Sequence, residues 1–310
     1  MDRHLSVVVA VAIPCTLLLA GCGGASEAAR TGGNDSSWHD ALIEKAPVAD
    51  PSDIPRGTVL WDIHKKGTLV YGGSKTQPLF SQLNPTTNKL EGFDATLAQL
   101  LAKYLTGKPS VEQKIVTSET REALLGNGTI KAAIYTYSIT PERDKKVDFA
   151  GPYFVSGQSI AVAKDTNDIH NLSDLAGRDV CVTKGGTAYL TMKAKVPSAK
   201  LVTLESSTEC HQMLRQGRVD AEVQDQAIEY GQAAEGDVKV VGKALTYEPY
   251  GIGLPDNDPK AVKFVNAWLT QLIKSGAWQK LYDNTVGKAP GAKAEVPEPG
   301  KRVDPELHLG

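Results

Sequence analysis

The sequence predicts an α/β protein of two lobes, each an open sheet flanked by helices, with a cleft between them. Three observations predict it. Short β-type runs alternate with helical runs across residues 67–287, which implies open, largely parallel sheets. The alternation falls into two sets, and the chain returns to the first at its end. The 310 residues are 41% apolar and 23% charged with a net charge of −2, enough apolar material for two ordinary cores. That balance provides no basic field for nucleic acid and no acidic tail. Four cysteines are too few for a disulfide-stapled miniprotein.

The amino terminus has the pattern of an export signal. Arg3 supplies a short positive start, and Leu5 to Ala20 is an apolar run broken only by Ser6, Pro14, Cys15 and Thr16. A membrane-spanning helix needs about 20 apolar residues, so this run suits a signal peptide better. It ends in Leu19, Ala20, Gly21 and Cys22, which resembles the bacterial lipobox: Cys22 would be diacylated, with palmitate-type chains, and become the new first residue. Buried acyl chains contribute about 0.8 kcal/mol per CH₂, enough for stable anchoring. Residues 1–21 are thus expected as a lipoprotein signal peptide. Residues 22–66 are expected as anchor and tether, being rich in Gly, Ala, Ser, Asp and Pro, with at most a short turn near Trp38 to Ile43. Residues 288–310, with Pro290, Pro297, Pro299 and Pro305, are expected as a flexible tail.

Between these ends the elements follow in order. Gly67 to Gly73 is a strand ending in glycines. Phe93, Leu97, Leu100, Leu101, Tyr104 and Leu105 lie at helical spacing, with Asp94 suited to the first turn. Val111 to Thr117 is a strand, Thr120 to Leu125 a short helix, and Lys131 to Tyr137 a second strand. Asp148 to Tyr153 and Ser159 to Ala163 complete the first lobe (67–160) and lead into the next. The second lobe (161–246) reads as a helical turn at Leu172 to Leu175 and strands at Arg178 to Thr183, Leu201 to Leu204, Val219 to Gln224 and Val238 to Val241. Helices follow Gly185, Thr208 and Gln226. Residues 247–287 return to the first lobe through Tyr250 to Leu254 and two helices, the first with Val262, Val265, Trp268, Leu269, Leu272 and Ile273 on its apolar face. Ligands of open α/β sheets bind beyond the carboxyl ends of the strands, here in the interlobe cleft.

Several segments taken in order resemble one family. Gly92-Phe93-Asp94 precedes a helix; Thr136 to Arg143 is followed by Val147 to Phe149 and Gly151 to Tyr153; Gly177 to Val180 leads to Thr183 to Thr187; Gly217 to Ala221 leads to Asp225; and Tyr250 to Gly253 closes the set. Residues 67–285 thereby resemble the polar amino-acid-binding proteins of ABC importers, solute-binding protein family 3, and within it glutamate-binding lipoproteins of actinobacterial type. The resemblance implies a type II periplasmic-binding-protein fold, two lobes joined by two crossover strands.

The resemblance also implies a site for a zwitterion. An α-carboxylate is matched by the planar fork of an arginine, and Arg143 holds that place. Ser138 adds a hydroxyl, and the Thr136 carbonyl can accept from the ammonium. Thr183, Gly186 and Thr187 form an anion-binding turn at a helix start, where free N–H groups and the dipole favour negative charge. Asp225 is the acidic partner of the ammonium. Ser118 and Arg121 match positions that face a distal carboxylate in glutamate- and aspartate-binding relatives. Lys75, standing where an acid or aromatic is common, would favour an acidic ligand further. Gly186 replaces a common Thr, and Gln224 a common acid or His. Read without the resemblance, Arg143 and Arg121 suit exposed surface positions and Asp225 a helix cap. Cys181 and Cys210 are the thiols left once Cys15 is removed and Cys22 acylated. An exported protein favours their pairing, which also occurs in the relatives resembled, and buried free thiols are the alternative. The bond would stabilise by roughly 3–4 kcal/mol.

The implied function is a lipid-anchored receptor on the outer face of the cell membrane. It acts as a monomer, takes L-glutamate or a similar amino acid, delivers it to ABC transporter permease subunits, and uses no cofactor and no nucleic acid. A sensor docking on a membrane signalling protein is one alternative. An exported enzyme like cyclohexadienyl dehydratase is another, with Glu91, Glu119 and Glu205 as candidate acids. Enzyme signatures are missing from the sequence, and His64, His170 and His211 lack metal-ligand spacing.

Overall fold

The computed structural model describes residues 37–234, 236–293 and 295–301. The export signal, Cys22 and the first part of the expected tether lie outside the described residues.

In chain order, α1 (Ser37–Lys45) and α2 (Val59–Lys66) precede β1 (Leu69–Gly73). The strands β2 (Thr76–Gln77), β3 (Ser81–Leu83) and β4 (Leu90–Glu91) lead to α3 (Phe93–Thr106), β5 (Val111–Ile115), α4 (Arg121–Gly126), β6 (Ala132–Ala133) and β7 (Asp148–Ser156). The second lobe holds β8 (Gln158–Ala163), β9 (Asp179–Thr183), α5 (Thr187–Lys195), β10 (Lys200–Leu204), α6 (Ser207–Arg215), β11 (Ala221–Asp225), α7 (Gln226–Ala233) and β12 (Val238–Val241). The chain returns through β13 (Glu248–Leu254) to α8 (Pro259–Lys274) and α9 (Ala277–Asn284).

The two main sheets share one plan. Lobe 1 has the order β5-β1-β6-β13-β7 and lobe 2 the order β10-β9-β11-β8-β12. In each, the first three strands run parallel, and the last two pair antiparallel with their neighbours. The sheets are therefore less parallel than the βα alternation predicts. Strands β13 and β8 run against the direction of the βα units, while the edge strands β7 and β12 run with it. Strands β2, β3 and β4 form a separate antiparallel sheet that no periodicity announced, being only two or three residues each.

Local chemistry sets the helix ends. The buried face of α3 is the predicted one, with Phe93, Leu97, Leu100, Leu101 and Leu105 inside. Gly107 stops it at φ 77°, a left-handed position that glycine adopts without penalty. Asp258 starts α8 by accepting from the Ala261 N–H at 3.1 Å, with Pro259 inside the first turn. Ser206 and Glu209 form a reciprocal capping box at α6.

Two stretches differ from expectation. Residues 37–66 are not all tether. Leu42 and Ile43 of α1, and Ile54, Val59, Leu60 and Ile63 in and before α2, are buried in the lobe 1 core. Their apolar face is short and sits within a polar composition, which hides its periodicity. The expected tail also packs in part: Ala289 and Pro297 are buried, and the Gly300 N–H donates to the Gly151 carbonyl at 2.7 Å. Cys181 and Cys210 form a disulfide with Cα atoms 5.5 Å apart, tying β9 to α6.

The crossover is tightly made. Gly157 joins β7 to β8, and a Cβ there would lie 2.2 Å from the Thr246 carbonyl oxygen. Any side chain would force apart the two segments that link the lobes. The Gln158 amide N–H donates to Thr246 Oγ1 at 2.9 Å and its side chain to Glu248 Oε1 at 2.8 Å, so the two linkers are also hydrogen-bonded to each other.

Candidate functional site

Both lobes aim the carboxyl ends of their parallel strands at one cleft. From lobe 1, the segment after β1 brings Gln77, the segment after β5 brings Ser118 and Arg121, and the segment after β6 brings Tyr135, Thr136, Ser138 and Arg143. From lobe 2, β9 leads to Thr183, Gly186 and Thr187, β10 to Ser207, and β11 to Gln224, Asp225 and Ile228. Helices α5, α6 and α7 all begin at the cleft, so three positive dipole ends face it.

The lobes are in contact across the cleft. Arg143 donates to the Gly185 carbonyl at 3.1 Å, Thr208 Oγ1 to the Thr76 carbonyl at 2.8 Å, and Lys184 pairs with Glu119 at 2.8 Å. Gly185, at φ 70°, lies so close to the other lobe that a Cβ would meet Glu119 Cγ at 2.8 Å. This is a closed arrangement.

Two arginines dominate the site. Arg121 is 2% exposed, donates to the Tyr135 carbonyl at 3.1 Å, and lies 3.5 Å above the centre of the Tyr137 ring. Its Nε is buried without a hydrogen-bond partner among the described residues. Burial first, and the nearby Arg143 charge second, push its pKa down to about 10. Arg143 is also buried, donates to the Ser138 carbonyl at 2.9 Å, and lies 5.2 Å from the same Tyr137 ring. Neither arginine forms an ion pair with a described residue. Two buried guanidinium groups on one ring, with no carboxylate paired to either among the described residues, leave the cost of their desolvation unmatched by the protein's own side chains.

Asp225 faces them from lobe 2. Its Oδ2 accepts from the Tyr250 hydroxyl at 2.7 Å, and its Oδ1 is buried without a hydrogen-bond partner among the described residues. Burial, reinforced by Glu248, raises its pKa to about 8; the Tyr250 hydrogen bond and the two arginines pull the other way. Behind it, the Gln224 side chain donates to Thr183 Oγ1 at 2.7 Å and accepts from the Asp225 N–H at 2.8 Å, fixing the end of β11.

Thr136 carries the backbone strain of the site. Its φ is 38°, which a β-branched residue adopts at a cost of about 1–3 kcal/mol. Asp94 accepts from its N–H at 2.8 Å and from the Tyr153 hydroxyl at 2.9 Å, while Gln77 donates to Thr136 Oγ1 at 3.2 Å. Burial raises the Asp94 carboxyl to about 7 against the pull of its donors. Asp94, which suits a helix start by sequence, therefore also holds the bend that aims residues 135–138 into the cleft. That bend ends β6 at Ala133, short of the strand predicted to Tyr137.

The cleft brings together Ser118, Arg121, Thr136, Ser138, Arg143, Thr183, Gly186, Thr187 and Asp225, nine of the residues anticipated. Lys75 is not with them: it is exposed on the turn before β2 and outside the cleft lining. The turn points its side chain outward, and the inward place goes to Gln77, two residues later. Gln77, Tyr135, Ser207 and Ile228 were missed. Gln77 could have been suspected from its place just before Pro78 and Phe80, two residues from Lys75. At Gly186 a Cβ would lie 2.9 Å from the Thr183 carbonyl oxygen, so the glycine fits a tight turn. Glu91, Glu119 and Glu205 do not line the cleft; Glu119 and Glu205 flank Lys184 at its mouth, at 2.8 and 3.5 Å. Among the described residues no group of three or more His, Cys, Asp or Glu side chains is placed to hold a metal ion.

Two lobes thus enclose a cleft lined by two buried arginines and a buried aspartate. The chain belongs to the bacterial extracellular solute-binding proteins, family 3, whose model matches residues 69–288. It is 34% identical to the ABC transporter glutamine-binding protein GlnH of Bacillus subtilis, over 81% of this chain and 92% of that protein. It is 32% identical to the glutamate-binding protein GluB of Corynebacterium efficiens, over 80% of this chain and 88% of that protein. A solved structure of an ancestral amino acid-binding protein, a precursor of cyclohexadienyl dehydratase, superposes with a TM-score of 0.69 at 36% identity, covering 74% of this chain and all of that one. The fold is the type II periplasmic amino-acid-binding fold. Among the described residues no helix is long and apolar enough to cross a membrane.

Proposed function

We propose that this chain is an extracytoplasmic receptor, anchored by lipid at Cys22, that closes on glutamate or a related polar amino acid and delivers it to an ABC importer. One observation carries the ligand reading: Arg121 and Arg143 are both buried in the cleft with no ion-pair partner among the described residues, opposite Asp225 Oδ1, which has no hydrogen-bond partner among them. Arg143, stapled to both lobes, suits the α-carboxylate, and Asp225 Oδ1 the α-ammonium. Arg121 then meets the distal group. With Asp225 ionised, two guanidinium groups and one carboxylate leave one positive charge. A glutamate zwitterion carries one negative charge and neutralises it; glutamine does not. The glutamine- and glutamate-binding relatives support the ligand class, and the transporter in the GlnH name supports delivery to an importer.

Calorimetric titration of the full-length protein with glutamate, aspartate and glutamine tests the reading. Charge-assisted hydrogen bonds contribute about 1.5–3 kcal/mol, or roughly 10- to 150-fold in affinity. Arg143→Ala should weaken every amino acid by at least that factor. Arg121→Ala should weaken glutamate by it and glutamine much less. Equal losses for glutamate and glutamine in Arg121→Ala refute the distal-carboxylate assignment, and undiminished binding in Arg143→Ala refutes the site.

A further inference from the structure

Gln77 is 3% exposed and lines the cleft. Its Nε2 donates to Thr136 Oγ1 at 3.2 Å, while its Oε1 is buried with no hydrogen-bond partner among the described residues. A buried amide oxygen left unpaired is costly, and a binding site tolerates it when a ligand supplies the missing donor. The position of the amide also matters. Arg121 hangs from the Tyr135 carbonyl and Gln77 from the hydroxyl of Thr136, the next residue. The two heads are thus held by consecutive residues in one corner of the cleft. Arg121 Nε is a buried donor without a partner, and Gln77 Oε1 is a buried acceptor without one.

We propose that Gln77 reads the distal group of the ligand and can present either end of its amide to it. The inference rests on the amino-acid site described above and deepens it. In the orientation present, the corner offers donors from Arg121 and an acceptor from Gln77. That pair matches a carboxamide, whose oxygen accepts and whose NH₂ donates. Thr136 Oγ1 is a hydroxyl, and it donates as readily as it accepts. If the Gln77 amide turns over, the hydroxyl donates to Oε1 and the Gln77 NH₂ faces the ligand. The corner then offers donors alone, which match a carboxylate. A residue that turns admits both glutamate and glutamine, and a residue fixed as one kind of partner must choose between them.

The test measures glutamate and glutamine affinities by calorimetry on the full-length parent, Gln77→Glu and Gln77→Met, with thermal melts to establish folding. Gln77→Glu supplies an acceptor and a negative charge. It should move the glutamate-to-glutamine affinity ratio at least about tenfold toward glutamine, because the carboxylate repels one distal group and accepts from the other. Gln77→Met keeps the length without the hydrogen bonds and should weaken both ligands by a similar factor, about 2- to 13-fold. An unmoved ratio in folded Gln77→Glu, or parent-like affinities in Gln77→Met, overturns the role of Gln77 while leaving the amino-acid site standing. A parent that binds neither ligand overturns the amino-acid reading and this inference with it.

Discussion

Binding should release a proton, and Asp225 is its source. In the unliganded closed cleft this carboxyl is pushed up to about 8, first by burial and then by Glu248. The groups around it act in opposite directions. Arg143, Arg121 and the Tyr250 hydroxyl favour ionisation, while Glu248 on β13 and Glu229 on α7 oppose it. An α-ammonium on Oδ1 requires the carboxylate. Below about pH 8 the unliganded site therefore holds a proton that the complex does not, so affinity should rise about tenfold per pH unit and then level off above that point. About one proton should leave at pH 6.5 and about half of one at pH 8. The stability sign follows. The raised folded pKa makes this site's contribution fully present below the unfolded value of 3.8 and lost as pH rises through about 8. Ligand restores it, so the ligand-induced rise in Tm should grow with pH. The assay is titration calorimetry between pH 5.5 and 8.5 in buffers of different ionisation enthalpy, with Asp225→Asn as control. Affinity and heat that do not depend on pH or buffer below pH 8 would refute the argument, because Asp225 would then be ionised before the ligand arrives.

Two further outcomes are expected. Glu222 is fully buried on β11, with neither carboxylate oxygen hydrogen-bonded among the described residues, His211 Nδ1 4.0 Å from its Oε2 and Glu229 nearby; burial raises its pKa well above the carboxylate range, so its contribution to stability is present in acid and lost as pH rises. Glu222→Gln should raise Tm more at pH 8 than at pH 5, the difference growing by about 1.4 kcal/mol per pH unit while only the unfolded chain is ionised; equal shifts at both pH values in thermal melts would count against it. Cys22→Ser should release the protein from the membrane fraction or leave it unprocessed, and fractionation like that of the parent would exclude the lipid anchor.

The positions of most elements were legible in the sequence because they follow from local rules. The face of α3 follows from its 3.6-residue spacing and its end from Gly107. The start of α8 follows from Asp258 and Pro259, and the βα alternation predicts lobes with ligands at strand ends. Nine residues that line the cleft were legible through ordered motifs, and Arg143 and Arg121 carried charge types suited to carboxylates. Other features depended on contacts between distant segments. Short apolar faces in residues 37–66 became helices because lobe 1 offered a surface to bury them. Lys75 and Gln77 stand two residues apart on one turn, and only the path of that turn decides which enters the cleft. Arg121 looks like a surface residue by sequence, yet the rings of Tyr135 and Tyr137 and the closed second lobe bury it. The carboxyl of Asp225 carries no sign in the sequence of a pKa near 8, because that value arises from burial and from Glu248, brought beside it by the returning crossover strand. The sequence alone determined which residue types could bind an amino acid. The tertiary structure decided which of them are desolvated together, because burial depends on contacts between distant segments and a charge out of water interacts far more strongly with its neighbours.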